Sequence, residues 1–542
     1  MLGLAALILS FFAAPVAAHA PAALKPGSPQ LIVVISVDQF SADLFDEYRP
    51  HFTGGLARIA GGAAFHNGYQ AHSGTETCPG HSTILTSAHP AHTGIIANTW
   101  VDQSLTRSDR TVYCSEDERV PGSSTTNYTV SPMHLQVPTL GDLLKKRSPA
   151  SMNVAVAGKD RAAVMMGGHD VDQRWYWDGK KFSTDRQSAA LPATIQKANA
   201  AIIAALATAR APLDSPPLCQ GKATPITLTP ALTVGAGRFG RAAGDLRAFR
   251  ASPEFDGAVL AVAAGLVQEM RLGKDAAPDI LSVGLSATDY VGHSYGPGGG
   301  EMCLQLLTLD RELGDFFRAL DAEGIDYAVV LTADHGGLDI PERLRANGIV
   351  QATRADSALA ATLVGKTIGQ RLKLSGPVLL GDLGNDVYVD RSLPPSARRR
   401  AQREAVAFYK AHPQAEAVFT AEQLAKLPVP SGSPDRWTIE QRVRASFDPK
   451  RSGDFYVVLK KYVLAIPTPG PGYASTHGSV WDYDRRVPIL FWRKGMSPAP
   501  SERAADTVDI MPTLAAMIGL GLAPNSIDGV CLSVQGVGCP QR

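Results

Sequence analysis

The run "SATDYVGHSYGPG" places His293 four residues after Asp289, so one turn of chain can offer a carboxylate and an imidazole to one cation. "LTADHGGLD" sets Asp334 directly before His335. On a regular strand these two would face opposite sides. They share a site only past a strand end, where Gly336 and Gly337 supply the freedom to turn. His477 stands in the Ser- and Gly-rich "STHGS", and Asp38 closes the apolar run "LIVVISVD". Three Asp and three His suit zinc, which takes nitrogen and oxygen donors in near-tetrahedral sites. One such pair alone is as readily an ordinary hydrogen bond; three elements of this kind at strand exits carry the metal reading.

A second group offers nucleophiles and cations. "TETCPGHS" crowds hydroxyls, Cys78 and His81 at the start of an apolar run, and those residues alone leave open which one reacts. Lys159 and Arg161 lie two apart, on one face if strand geometry runs through them. In isolation a Lys-x-Arg is a solvated surface pair.

These residues need a scaffold that gathers them. β-Branched runs at 31–38, 153–159, 279–289, 327–335 and 487–492 read as buried strands, and Pro253–Arg271, Gly299–Ala322 and Thr507–Leu520 carry helical periodicity. The alternation predicts an α/β protein with a mostly parallel central sheet and helices on both faces. Such sheets bind ligands beyond the carboxyl ends of their strands, and Asp38, Lys159, Asp289 and Asp334-His335 all end predicted strands. Two spacers, about 162–278 and 338–475, are richer in Pro, Gly and charge and read as insertions that cap the site. The expected organisation is a signal peptide at 1–18, cleaved near Val16-Ala17-Ala18, then a single catalytic domain over 19–542. No other uninterrupted apolar run is as long, so export without stable membrane insertion is expected, to the periplasm or medium.

Composition narrows the partners. Lys+Arg of 52 against Asp+Glu of 51 argues against an overall match to nucleic acid or anionic membrane. Six cysteines, Cys78, Cys114, Cys219, Cys303, Cys531 and Cys539, permit disulfides in an exported chain, with fifteen full pairings open. Cys531 and Cys539 are close enough for a small C-terminal loop, and none forms a CxxC zinc motif.

Asp38, "TETCPGHS", Asp289-x3-His293, Asp334-His335 and "STHGS" together resemble the alkaline phosphatase superfamily, in the order found in its threonine-nucleophile (PafA- or SPAP-type) alkaline phosphatases. The resemblance spans about Leu31 to Leu520. It implies two zinc ions per chain: one on Asp38, Thr77, Asp334 and His335, the other on Asp289, His293 and His477. It implies Thr77 as nucleophile, Asn98 as a phosphate contact, and Lys159 with Arg161 as the basic pair that marks the monoesterase branch. Lys159 then stands where a serine-nucleophile branch keeps magnesium, so magnesium is not expected. The implied substrates are small phosphate monoesters, hydrolysed by a monomer through a phosphothreonine. Charge makes the pair intelligible: the ions offset three Asp and an ionised Thr77, and a monoester near −2 then matches two basic side chains. Pro79 suits a first helical position, which would set Thr77 just before a helix N-terminus where free amides favour phosphate.

Three other readings compete with this one. A sulfatase needs Cys-x-Pro-x-Arg, and here Pro79 follows Cys78 directly. A phosphodiesterase or nucleotide pyrophosphatase of the same superfamily is the nearest alternative, and it lacks the Lys-x-Arg pattern. A silent metal or phosphate binder would be expected to have lost a ligand. Gly235–Gly240 matches GxGxxG but reads as a loop. His72, His89, His92 and His169 lack ligand spacing with the core set, and Trp175–Trp177 reads as packing.

Overall fold

The computed structural model describes residues 27–186, 191–523 and 526–540; the segment read as a signal peptide lies outside them. Its centre is a ten-stranded sheet. In chain order the strands are β1 (Leu31–Val37), β2 (Ala63–Tyr69), β3 (Asn153–Ala157), β4 (Gln173–Trp177), β5 (Phe182–Ser183), β6 (Asp279–Leu285), β7 (Tyr327–Thr332), β8 (Arg486–Arg493), β9 (Ala499–Ser501) and β10 (Ala505–Asp506). They lie in the order β9-β2-β8-β7-β1-β6-β3-β4-β5, with β10 also on β2. The five from β7 to β4 run parallel. β8 reverses direction against both β7 and β2.

Every residue of β1 is buried, as a strand covered on both faces requires. Its side chains alternate between two cores. Leu31, Val33, Ile35 and Val37 pack with Phe255, Val259, Leu306 and Phe317, whereas Ile32 and Val34 pack with Ile84, Ile510 and Leu514. The relevant helices are α1 (Thr77–Ile84), α2 (Asp160–Gly167), α3 (Pro253–Met270), α4 (Ala287–Tyr295), α5 (Gly300–Ala322) and α6 (Ile510–Ile518). Truncating one buried Ile to Ala in such a core costs about 2–5 kcal/mol, so the strand ends that carry the chemistry are anchored stiffly.

The structure corrects four local expectations. The strand expected over 279–289 stops at Leu285, and Asp289 and His293 sit one turn apart on α4. The strand expected to reach Lys159 stops at Ala157, so Lys159 is the N-cap of α2 and Arg161 lies in its first turn; strand alternation does not pair them. Helix α1 begins at Thr77, which makes Pro79 its third residue; the missing N–H still falls in the turn whose donors have no intrahelical partner. Residues 162–278 are not one excursion, because β4 and β5 join the main sheet and α3 packs in its core. Trp175, Tyr176 and Trp177 are accordingly sheet residues, buried as packing. Gly235–Gly240 is loop, although a short strand, Leu232–Val234, precedes it.

Residues 338–475 behave differently. They contribute an antiparallel sheet of four strands, Leu379–Leu380, Asn385–Val389, Phe455–Leu459 and Ala415–Thr420, with a separate apolar core under the helices Ala361–Leu372 and Pro395–Ala411. Disulfides join Cys78 to Cys114, Cys219 to Cys303, and Cys531 to Cys539, the last being the expected C-terminal loop. Among the described residues no helix is long and apolar enough to cross a membrane.

Candidate active site

The carboxyl edge of the parallel strands gathers the predicted donors. Asp38 follows β1, and Asp334 and His335 follow β7. A loop brings His477 over them, its ring stacked 3.5 Å from that of His335. His477 Nε2 and His293 Nε2 approach Asp289 Oδ1 at 3.4 and 3.3 Å, while His335 Nε2 lies 3.2 Å from Asp334 Oδ2. Lys159 Nζ reaches Asp289 Oδ2 at 2.5 Å and Asp38 Oδ2 at 3.1 Å. Both Lys159 Nζ and Arg161 Nη2 point at Thr77 Oγ1 from 3.5 Å.

Burial alone makes this cluster unusual. Asp38 and Asp334 are fully buried and Asp289 nearly so, and isolated carboxylates are costly to bury. Desolvation opposes the Asp289 charge, but His293 and Lys159 outweigh it and hold the carboxyl well below its usual range. Burial likewise disfavours charge on Lys159, yet Asp289 and Asp38 win and keep the ammonium protonated. Burial also works against a charged His335, and Asp334 reverses the balance, pushing the ring up to about 9. His477 goes the other way, to about 3, through burial and then the His335 charge. Two stacked imidazoles carry one charge between them more easily than two.

The donor set fits cations. Both Asp38 oxygens, Asp334 Oδ2 and His335 Nε2 are buried without a hydrogen bond. Each ligand-type histidine engages a backbone carbonyl through Nδ1 at 2.8 Å: His293 to Ser475, His335 to Gly336, His477 to Thr75. That leaves Nε2 of each ring free to face a cation, the arrangement by which backbone groups orient metal ligands. The geometry forms two donor groups, Asp289-His293-His477 and Asp38-His81-Asp334, each with its donor atoms within 4.8 Å of one another.

His81 is the residue the spacing argument overlooked. It is fully buried on α1, with Nδ1 2.9 Å from the Thr77 carbonyl, Nε2 3.3 Å from Asp38 Oδ1, and Asp334 Oδ2 3.4 Å away. One ring therefore ties the turn bearing Thr77 to two carboxylates. Replacing His81 with Ala is expected to lower metal affinity or activity about 10–100-fold, read by competition with a chromophoric chelator. An unchanged affinity together with an unchanged rate would remove His81 from the site.

Other supports were equally silent in the sequence. Gln39, a non-glycine at φ 63°, donates its backbone N–H to Asp334 Oδ1 at 3.0 Å and its Nε2 to Asp289 Oδ1 at 3.2 Å. Asn98 is clamped in register with Thr77: its Oδ1 accepts the Cys78 N–H at 2.8 Å and its own N–H donates to Glu76 Oε2 at 2.7 Å. Tyr113 and Tyr128 both donate to Asp160 at 2.7 Å, and Tyr113 Oη also meets Arg161 Nη1 at 3.3 Å. The Cys78–Cys114 disulfide fastens the Thr77 turn beside that platform. Gly80 lets α1 approach β7's end, since any Cβ there would overlap the Asp334 carbonyl. Gly336 and Gly337 also serve close approach, to Tyr483 and Gln39, and neither has a positive φ. The histidines set aside stay outside: His89 pairs with Asp506 at 2.9 Å, and His169 with Asp142 at 3.4 Å.

An α/β sheet whose carboxyl edge holds two buried Asp/His donor groups with a hydroxyl beside them is the arrangement of the alkaline phosphatase superfamily, and here Lys159 and Arg161 add two basic side chains. A family model described as Type I phosphodiesterase / nucleotide pyrophosphatase matches residues 32–480. Alkaline phosphatase PhoK of Sphingomonas sp is 50% identical over 510 residues, covering 93% of this chain and 91% of the relative. Alkaline phosphatase PhoD of Zymomonas mobilis subsp. mobilis is 43% identical over 535 residues, covering 97% and 92%. The crystal structure of alkaline phosphatase PafA superposes with a TM-score of 0.79 at 25% identity, covering 91% of this chain and 96% of that one. The chain belongs to the phosphodiesterase / nucleotide pyrophosphatase family and, within it, is an alkaline phosphatase of the PafA type.

Proposed function

We propose that the enzyme is exported and hydrolyses phosphate monoesters through a phosphothreonine on Thr77, at a site for two zinc ions. Asp38, Thr77, Asp334 and His335 would hold one ion, and Asp289, His293 and His477 the other. Bound there, the pair supplies positive charge at both ends of an in-line displacement. The observation that carries the reading is the convergence of Lys159 Nζ and Arg161 Nη2 on Thr77 Oγ1, each from 3.5 Å.

The steps assigned to the chain follow from that convergence. Thr77 Oγ1, its proton released to solvent, forms the new bond to phosphorus as the ester P–O bond breaks; the departing oxygen takes the electron pair and a proton from water and leaves as the alcohol. Lys159 and Arg161 meet the charge on the transferred phosphoryl oxygens, Arg161 as a planar fork and Lys159 as a point charge. Asn98 is clamped by Glu76 and Cys78, and its amide N–H would be the group offered to the same phosphoryl oxygens. Water then cleaves the phosphothreonine and returns the hydroxyl. Export is supported by the leader-like first residues and by three disulfides, which persist in oxidising compartments. The family description mentions diesters, whose single charge would leave one of the two cations unmatched.

Metal analysis of the purified enzyme, run beside rates for p-nitrophenyl phosphate and bis-p-nitrophenyl phosphate, tests this. Two zinc per chain with strong monoester preference is the expected result. Diester preference would move the enzyme to the phosphodiesterase reading, and a different metal would revise the cofactor.

A further inference from the structure

Next to Thr77 the molecule opens into a cleft of about 980 Å³. Its walls are the Thr99–Val101 strand, the small antiparallel sheet and the loop from Ala465 to His477. Glu76 and His477 line its inner end. It therefore begins beside the Asp289-His293-His477 group; Thr77 belongs to the other donor group in the proposal above, so an in-line displacement sends the alcohol out on this side, and the inference rests on that mechanism. Lys159 and Arg161 are not among its lining residues.

The titratable lining is lopsided, Glu76, Asp109, Asp382, Asp386 and Asp390 against Arg110, although burial pushes Asp386 up to about 7 and Glu76 upward as well. Most of these acids have local duties. Asp390 lies 4.0 Å from Arg110, Asp109 accepts from Thr111 and Thr125, Asp386 accepts the Gly453 N–H at 2.6 Å, and Glu76 holds Asn98. Asp382 is exposed, and among the described residues no hydrogen bond or ion pair engages its carboxylate. Near it Tyr473 leaves half its surface to solvent while its ring stacks on His293, centroids 6.2 Å apart. Burial first, and then the neighbouring acids, Asp382 ahead of Glu76, push the pKa of that phenol up. An open aromatic face that shares a cleft with a free carboxylate attracts an ammonium and repels an anion.

We propose that this cleft receives the alcohol portion of the ester, and that Asp382 and Tyr473 select alcohols carrying an ammonium group over alcohols carrying an anion. The molecule thus divides its electrostatics: positive where the phosphoryl group sits, negative where the alcohol leaves.

Three esters of similar size separate charge from shape: choline phosphate, its uncharged isostere 3,3-dimethylbutyl phosphate, and 3-carboxypropyl phosphate. Each is assayed with the metal-loaded wild type and the Asp382→Asn variant, so that variant-to-wild-type ratios cancel intrinsic reactivity. For an exposed carboxylate the expected change in kcat/KM is about a fivefold loss for choline phosphate, about a fivefold gain for the carboxypropyl ester, and less than about twofold for the isostere. Asp382→Lys should widen both shifts, and the Kd of choline phosphate for a Thr77→Ala background should rise by the same factor on adding Asp382→Asn. One common ratio for all three esters, with hydrolysis intact, would overturn the selectivity. Failure of the loaded wild type to hydrolyse any of them would instead overturn the phosphatase mechanism on which it rests.

Discussion

Thr77→Ala is expected to lower kcat for p-nitrophenyl phosphate by on the order of 10⁴–10⁶, the scale seen when a covalent nucleophile is deleted. Metal content should stay close to wild type, because Asp38, Asp334 and His335 remain, and because the Cys78–Cys114 disulfide still fixes the start of α1. Thr77→Ser should recover much of the rate, since it restores an oxygen at the position Lys159 and Arg161 approach. The checks are steady-state kinetics, metal analysis, and trapping of phosphorylated protein at acid pH, where wild type should label on Thr77 and the Ala variant should not. Near-wild-type turnover in the Ala variant would refute the nucleophile.

Lys159→Ala should reduce kcat/KM for p-nitrophenyl phosphate by about 10²–10³, the usual cost of losing one preorganised group that meets transition-state charge. The same change should alter the bis-p-nitrophenyl phosphate rate by less than about tenfold, because a diester brings one negative charge fewer to the two cations. The comparison matters because Lys159 also touches Asp289 and Asp38, so a loss through damaged metal sites would depress both substrates together. Equal losses, or lost metal, would make Lys159 a structural counter-charge and undo the argument for monoester preference.

What the sequence determined by itself was the donor chemistry and the class of fold. Asp and His at strand exits announce themselves because their types are limited and because one turn or one strand end sets their spacing. Asp289 with His293 is the clearest case: a four-residue interval brings two side chains together only on a helical turn, and α4 supplies that turn. Buried β-branched runs likewise reveal a parallel sheet, since both of its faces must be covered. Local backbone was less legible. Lys159 and Arg161 fit strand alternation on paper, and only the helix start at Asp160 shows how both side chains reach Thr77.

The tertiary structure alone decided which residues hold the donors in place. Gln39 and Asp334 are 295 positions apart, and no spacing rule connects them. His81 had the right residue type but no partner interval, because its partners follow two different strands. Disulfide pairing, the Tyr113–Tyr128–Asp160 platform under Arg161, and the Asp382–Tyr473 side of the cleft are long-range in the same way. The physical reason is common to all of them. A ligand motif is written in local spacing, whereas an orienting contact is a meeting of surfaces that exists only after the sheet has closed its order and the loops have packed across its edge.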